Sequence, residues 1–498
     1  MLEIHMRFIC ASILATASLL TARGGTADWF AIHVIDETNG RGVPLVSITT
    51  VNHITHTTDS AGWVAFHEPG LMGKDVFFHL SSPGYTVAKD GFEFTGVRLT
   101  PKLGQIHEIP VMRLNIAERL PRITGQGIYR DSELLGKESP LPRANFNLTL
   151  GQDSVQALPW QGRLFWLWGD TNVAHYPLGN FHTTCAWSDL PEKGGLNPEQ
   201  GVHLEYLTNE KGEIRPMLPM EAPGPVWIFG LLTVEDNAGK EHLLGHYGRF
   251  KDLSKRLEHG IAEYLDSLGR FTPMTTLGDE FVWQHPKGNA VRVKNDEGDF
   301  YYFCDSFALT RVPAKYNDIL NPSAYEALAW SDSAEDYLWQ KTVPPVTQAA
   351  EAKAIAEKRQ PASKALLQVK EALTGKPILI HRSSVNWNAY RQSWIMIGNQ
   401  IKGDVSELGE VWFAEAPSPN GPWTKAVKIA THPRYSFYNP RQHAFFDQDG
   451  GQVIYFEGTY TNTFSGNPIP TPRYDYNQIM YRLDLSDPRL NVLKKSPK

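Results

Sequence analysis

Apolar runs recur along the chain at short intervals, and their form changes near residue 114. From Asp28 to Arg113 they are short and β-rich: Phe30–Ile35, Leu45–Val51, Trp63–Phe66 and Val76–Leu80. Asn39-Gly40, Asp59 to Gly62 and Ser82-Pro83-Gly84 separate them, and strands of this length between turn signals predict a small β-sandwich over 28–113. Residues 114–144, with Pro121, Pro140 and Pro142, read as a linker.

From Asn145 a longer unit repeats. Five apolar runs end in a small, acidic or polar position: Leu164–Asp170, His242–Tyr247, Phe300–Asp305, Trp394–Asn399 and Val453–Glu457. Each follows a first run that starts near Asp153, Trp227, Asn289, Asn386 or His443. Each precedes a third run, taken as Ala186–Asp189, Ile261–Tyr264, Leu328–Asp332, Val411–Glu415 and Ile479–Leu483. Five copies over some 350 residues give about 70 per unit, longer than a minimal four-stranded blade of ~40–50 and suited to blades with long loops. The prediction is an all-β chain: the sandwich, then a five-bladed β-propeller over 145–498. One stretch breaks the pattern. Residues 346–374 are rich in Ala, Glu, Lys, Gln and Leu, and predict a short helical insertion between the third and fourth units.

Composition narrows the function classes. Lys+Arg 48 against Asp+Glu 54 gives a net charge of −6, without the basic footprint of a nucleic-acid binder. Phe8 to Ala22 is apolar, follows His5 and Arg7, and leads to small residues through Ala27, which reads as a signal peptide over 1–27 and predicts a secreted or periplasmic protein. No stretch is long enough for an integral membrane span. Beyond that leader only Cys185 and Cys304 remain, so a disulfide framework is excluded, and one bridge or two buried thiols are both open. No His, Cys, Asp or Glu spacing fits a metal-ligand set, so no cofactor is expected. A structural calcium held by channel oxygens is compatible with the pattern, since such sites leave little linear trace.

Placed on a propeller, the start of a blade's first strand and the end of its second lie at the same mouth of the central channel. On that geometry Asp153, Asp170, Asp305 and Glu457 converge as catalytic candidates. His246 and Asn399 fill the equivalent slot in the second and fourth blades, and Gln152, His285, His443, Arg441 and Trp387 fall nearby as substrate-binding candidates. Each has a plainer reading. Asp170 and Asp305 can cap turns, and Glu457 can neutralise Arg441 within the core. A ring of carboxyl groups with His, Trp and Arg suits cleavage of a glycosidic bond, which needs one carboxyl to protonate the leaving oxygen and another to activate water or attack the anomeric carbon. Crowded carboxylates also raise one another's pKa, keeping an acid protonated.

Gly151-Gln-Asp-Ser154 with Trp168-Gly-Asp-Thr171, and Ala414 through the Ser-Pro-x-Gly-Pro-Trp423 turn, resemble secreted bacterial five-bladed propeller glycoside hydrolases. The endo-D-arabinan hydrolase group is nearest in flavour, and the arabinanase, β-xylosidase and anhydro-galactosidase propellers are more remote. The sandwich resembles carboxypeptidase-regulatory-like modules through Gly40-x-Gly-Val-Pro-Leu-Val46, Thr58-Asp-Ser-Ala-Gly-Trp-Val64 and Ser82-Pro-Gly-Tyr85. The propeller resemblance implies a carbohydrate substrate, Asp153 as base or nucleophile, and Glu457 or His443 as proton donor. Ser154 stands where the arabinanase and xylosidase type has Pro after that Asp. Two rival readings remain: a polysaccharide lyase on a uronate-containing glycan using His443 or His285 with a tyrosine and Arg441, and a non-catalytic carbohydrate-binding propeller. Sequence leaves the oligomeric state unknown.

Overall fold

The computed structural model describes residues 26–141 and 149–494. Most of the expected signal peptide and a short stretch after Leu141 lie outside the described residues. The N-terminal region is a sandwich of two four-stranded sheets. One contains Phe30–Asp36 between Trp63–Phe66 and Ile106–Arg113, and the other contains Ser47–Thr50 beside Val76–Ser81. Alternate residues of these strands point inward, so Ile32, Val34, Ile48, Val64, Phe66 and Phe78 form a closed core.

Five further sheets form the blades of a propeller. Their innermost strands are Gln156–Trp160, Val226–Glu235, Asn289–Asn295, Ile380–Asn388 and Ser436–Gln442, and each pairs antiparallel with a second strand and that with a third. Side chains tie neighbouring inner strands together. Gln156 bridges Ile228 and Leu231 of blade two, Asn289 donates to the Ser383 carbonyl of blade four, and the Ser384 hydroxyl accepts the Gln442 N–H of blade five. Arg441 donates to the Ala157 carbonyl, and Thr459 Oγ1 accepts the Ser154 N–H, which closes the ring from blade five to blade one.

Two features differ from the expected layout. The stretch read as linker supplies Glu118–Arg122, the outermost strand of blade five, paired with Asn477–Asp484. The last blade is thus closed by chain that precedes the first, which joins the two ends of the propeller. In blade three the third strand is Ala308–Pro313, and Glu326–Ser331, expected third, is fourth. The run Ala308-Leu-Thr-Arg-Val312 is short and follows its neighbour after a tight turn, so the louder Leu-Ala-Trp-Ser-Asp signal displaced it in sequence.

The closing strand also anchors the sandwich. Buried Arg119 donates to the Pro44 carbonyl at 2.8 and 3.1 Å, and the Tyr474 hydroxyl donates to the Thr58 carbonyl. The helical insertion contains an α-helix, Gln348–Ala356, capped by Thr347, whose hydroxyl accepts the Ala350 N–H, and a 3-10 turn, Ala362–Lys364. Its buried Glu351 accepts the N–H groups of Leu366 and Leu367 and the Tyr337 hydroxyl, which fastens the insertion to blade three. Cys185 and Cys304 are separate buried thiols. Among the described residues no helix is long and apolar enough to cross a membrane.

Candidate functional site

Residues from the inner strands of all five blades meet at one mouth of the channel with the ends of the second strands of blades one and three, and there they line a cavity of about 220 Å³. Asp153, Asp170 and Asp305 all face it, with Trp227, Lys287 and Arg382. The first two carboxyl groups are brought together by antiparallel pairing. The Gly169 N–H donates to the Asp153 carbonyl at 2.8 Å, and the Asp170 N–H donates to Asp153 Oδ1 at 2.9 Å. A Cβ on residue 169 would collide with that carboxylate oxygen, so glycine is what lets the second strand end alongside Asp153. Ser154 and Asn439, which face each other through a 2.7 Å bond, are both left-handed at φ 56° and 50°. Left-handed backbone at a non-glycine residue costs about 1 kcal/mol or more, and here it turns the chain so that Asp153 faces the cavity.

The two carboxyl groups have different surroundings. Asp153 accepts from Asp170 N–H and from the Tyr438 hydroxyl at 2.9 Å, and Tyr476 and Ser154 also bond to it. Burial raises its pKa, and these four donors oppose that rise without reversing it. Asp170 is buried with one side-chain donor, the Trp227 indole N–H at 2.7 Å. Burial first, and then the charge of Asp153, raise it to about 8. The two groups titrate as a pair with both members raised, and the larger number of donors on Asp153 favours Asp170 as the site of the shared proton. Asp305 is half-exposed and forms an ion pair with Arg382 on the opposite wall.

The remaining candidates fall elsewhere. Glu457 and His443 are fully buried and bonded to each other at 2.7 Å, and neither lines the mouth. Burial lowers the His443 pKa, opposed by its bond to Glu457. Both were misplaced because the first strand of blade five starts at Ser436, so His443 follows its far end, and the second strand runs on to Thr461. Arg441 sits within the channel between the Ala157 carbonyl and Asn289 Oδ1, with its pKa pushed down to about 10 by burial. Trp387 is at the far end of Ile380–Asn388 and faces the opposite side of the propeller, in a groove with Tyr390 and Glu415.

His246 lies mid-strand, its Nε2 bonded to the Tyr325 hydroxyl, and is held neutral with a pKa near 3 by burial and by His259. His285 Nε2 donates to the Tyr247 carbonyl. Asn399 accepts the Arg382 N–H from beneath the mouth. Gln152 is buried, donating to Thr184 and accepting from the Tyr206 hydroxyl. Sequence reasoning did not single out Trp227, Lys287, Arg382, Tyr438 or Tyr476 for the site. Arg382 is the third residue of the true first strand of blade four, Ile380–Asn388, so a strand start set six residues earlier would have found it. Among the described residues no group of three or more His, Cys, Asp or Glu is placed to hold a metal ion.

No protein-family model and no curated protein matches the chain. Among solved structures it is similar to a β-1,3-galactosidase described as GH43, at 7% identity and a TM-score of 0.37, over 73% of this chain and 59% of that one. It is also similar to an exo-β-1,3-galactanase from Clostridium thermocellum, at 11% and 0.35 over 69% and 60% of the two chains. An α-L-arabinofuranosidase from Fusarium graminearum matches at 12% and 0.35, over 75% and 99%. The chain spans about three fifths of the length of the first two. At such distance the fold and the site rest on the strand pairing and the cavity described above.

Proposed function

We infer that the protein is an enzyme, a glycoside hydrolase whose reaction takes place at the channel mouth. The observation that carries this is the Asp153–Asp170 pair: two adjoining carboxyl groups lining one open cavity, where four donors favour the carboxylate at Asp153, and a single side-chain donor with a pKa raised to about 8 favours the acid at Asp170. That division supplies the acid and the base or nucleophile that glycosidic cleavage requires. Asp170 protonates the oxygen of the leaving sugar as its bond to the anomeric carbon breaks. Asp153 stabilises the developing positive charge and either takes a proton from the attacking water or attacks that carbon itself. Trp227 holds the Asp170 carboxyl, while Tyr438 and Tyr476 hold that of Asp153. On this reading proton donor and base both come from the chain. Export, expected from residues 1–27, belongs to the same proposal.

A lyase built on His443 finds no support, because that ring is buried against Glu457 away from the cavity. The test is a panel of arabinans, xylans, galactans and uronate-containing or sulfated glycans, with reducing ends and ultraviolet absorbance read together. The expected result is new reducing ends with flat absorbance. A parallel rise in absorbance would show elimination, and binding without either signal would show a recognition module; both results contradict hydrolysis.

A further inference from the structure

The mouth cavity does not end at Arg382. A second cavity of about 560 Å³ adjoins it, running outward between blades three and four. Trp283, Phe307, Leu309 and Leu379 give it apolar walls, and Val346 to Ala349, where the helical insertion starts, form its outer side. Gln348 fixes that side by donating to the Ile378 carbonyl and accepting the Ile380 N–H. The two cavities share Lys287, Asp305 and Arg382, so together they make one trough with charged groups at the junction.

The charge there is unbalanced. Asp305 is bonded to Arg382, whereas the Lys287 ammonium has no carboxylate at ion-pair distance among the described residues. It lies instead over the rings of Phe229 and Phe250, 5.6 and 5.3 Å from their centroids. Ring faces attract a cation without neutralising it. Burial first, and then the Arg382 charge, lower the lysine pKa, and the nearby Asp305 charge offsets only part of this, so a bound anion would favour the charged lysine.

We propose that the substrate is a glycan chain that spans both cavities and places an anionic group, carboxylate or sulfate ester, between Lys287 and Arg382. This rests on the hydrolytic reading of the mouth. The bond to be cleaved lies at Asp170, and the residues beyond the anionic one extend along the apolar trough beneath the insertion. Asp305 holds the Arg382 guanidinium in position and, as one carboxylate facing two cations, leaves a net positive charge at the junction. Sugar rings have apolar faces that pack on Trp283 and Phe307, and the anion fixes the register of the chain.

The test measures binding to full-length Asp153→Asn protein, which keeps the trough and halts turnover. The probes are glucuronoxylan oligosaccharides and their carboxyl-reduced derivatives, and sulfated galactan oligosaccharides and their desulfated derivatives. In one pair the charged member should bind roughly tenfold more tightly than its neutral derivative, as expected for a charge-assisted contact of ~1.5 kcal/mol. The pair showing this preference identifies the anion. Lys287→Gln and Arg382→Gln should each erase most of the preference while affinity for the neutral derivative holds, and Lys287→Arg should keep it. Equal binding of charged and neutral members in both pairs, or a preference that survives both glutamine variants, overturns the proposal. If wild-type protein still cleaves a neutral glycan in that case, the hydrolytic reading stands without the anionic one. Anionic preference with no cleavage of any probe would instead sink the hydrolytic reading.

Discussion

Two acidic groups lie on the first two strands of blades one and five or at their ends, and they differ in what surrounds them. At the mouth, Asp153 and Asp170 border a cavity, are held by phenol and indole donors, and are flanked by left-handed residues. Inside the propeller, Glu457 is sealed against His443, with Arg441 beside it in the channel. In sequence they look alike, each an acid at the end of an apolar run. The difference lies in access: the first pair borders a cavity, whereas the second is sealed within blade five. Buried ionic groups that are bonded to each other specify structure, and carboxyl groups with perturbed pKa values on a cavity wall are candidates for chemistry.

The comparison breaks most sharply at Asp153. Asp153→Asn should lower turnover about 1,000-fold with little change in melting temperature, because the amide keeps the shape and loses the charge. Glu457→Ala should do the opposite. Leaving His443 unpartnered in the core should cost about 3–5 kcal/mol of stability, read by denaturant unfolding, with turnover per folded molecule near that of wild type. Trp227→Phe is a finer probe. Removing the indole N–H should lower turnover roughly fivefold to tenfold and move the alkaline limb of the pH–rate profile upward, since that bond holds the Asp170 pKa down.

The smallest effect is on stability against pH. The folded-state pKa of Asp170, about 8, lies above the ordinary 3.8, so the folded protein binds the extra proton. Its contribution is fully present below about pH 4 and is lost as pH rises toward 8. Asp170→Asn should flatten that part of the stability profile. An unchanged slope would place the raised pKa on another group.

Much of this was legible in sequence. The alternation of short runs and turns gave the sandwich, and the recurring three-run unit gave the five blades. Pairing one strand's start with the next strand's end brought Asp153, Asp170 and Asp305 to one face. Blades four and five show where that reading stops. An apolar run marks the buried middle of a strand, and its polar ends continue the ladder unseen. The true starts at Ile380 and Ser436 were therefore missed, and Trp387, His443 and Glu457 were carried to the wrong place. Nor does hydrophobic patterning show that Glu118–Arg122 completes the last blade, because that pairing joins segments more than 350 residues apart. The donors that set the Asp153 and Asp170 pKa values apart come from blades one, two and five, an arrangement only the closed ring creates.

The most direct measurement sets Asp170→Asn beside Glu457→Gln on a glycan that the wild-type protein cleaves, with turnover expressed per folded molecule. The account predicts a loss of at least about 100-fold for Asp170→Asn and near wild-type turnover for Glu457→Gln. A natively folded Glu457→Gln protein without activity, alongside an active Asp170→Asn protein, would contradict it and move the chemistry to the buried pair.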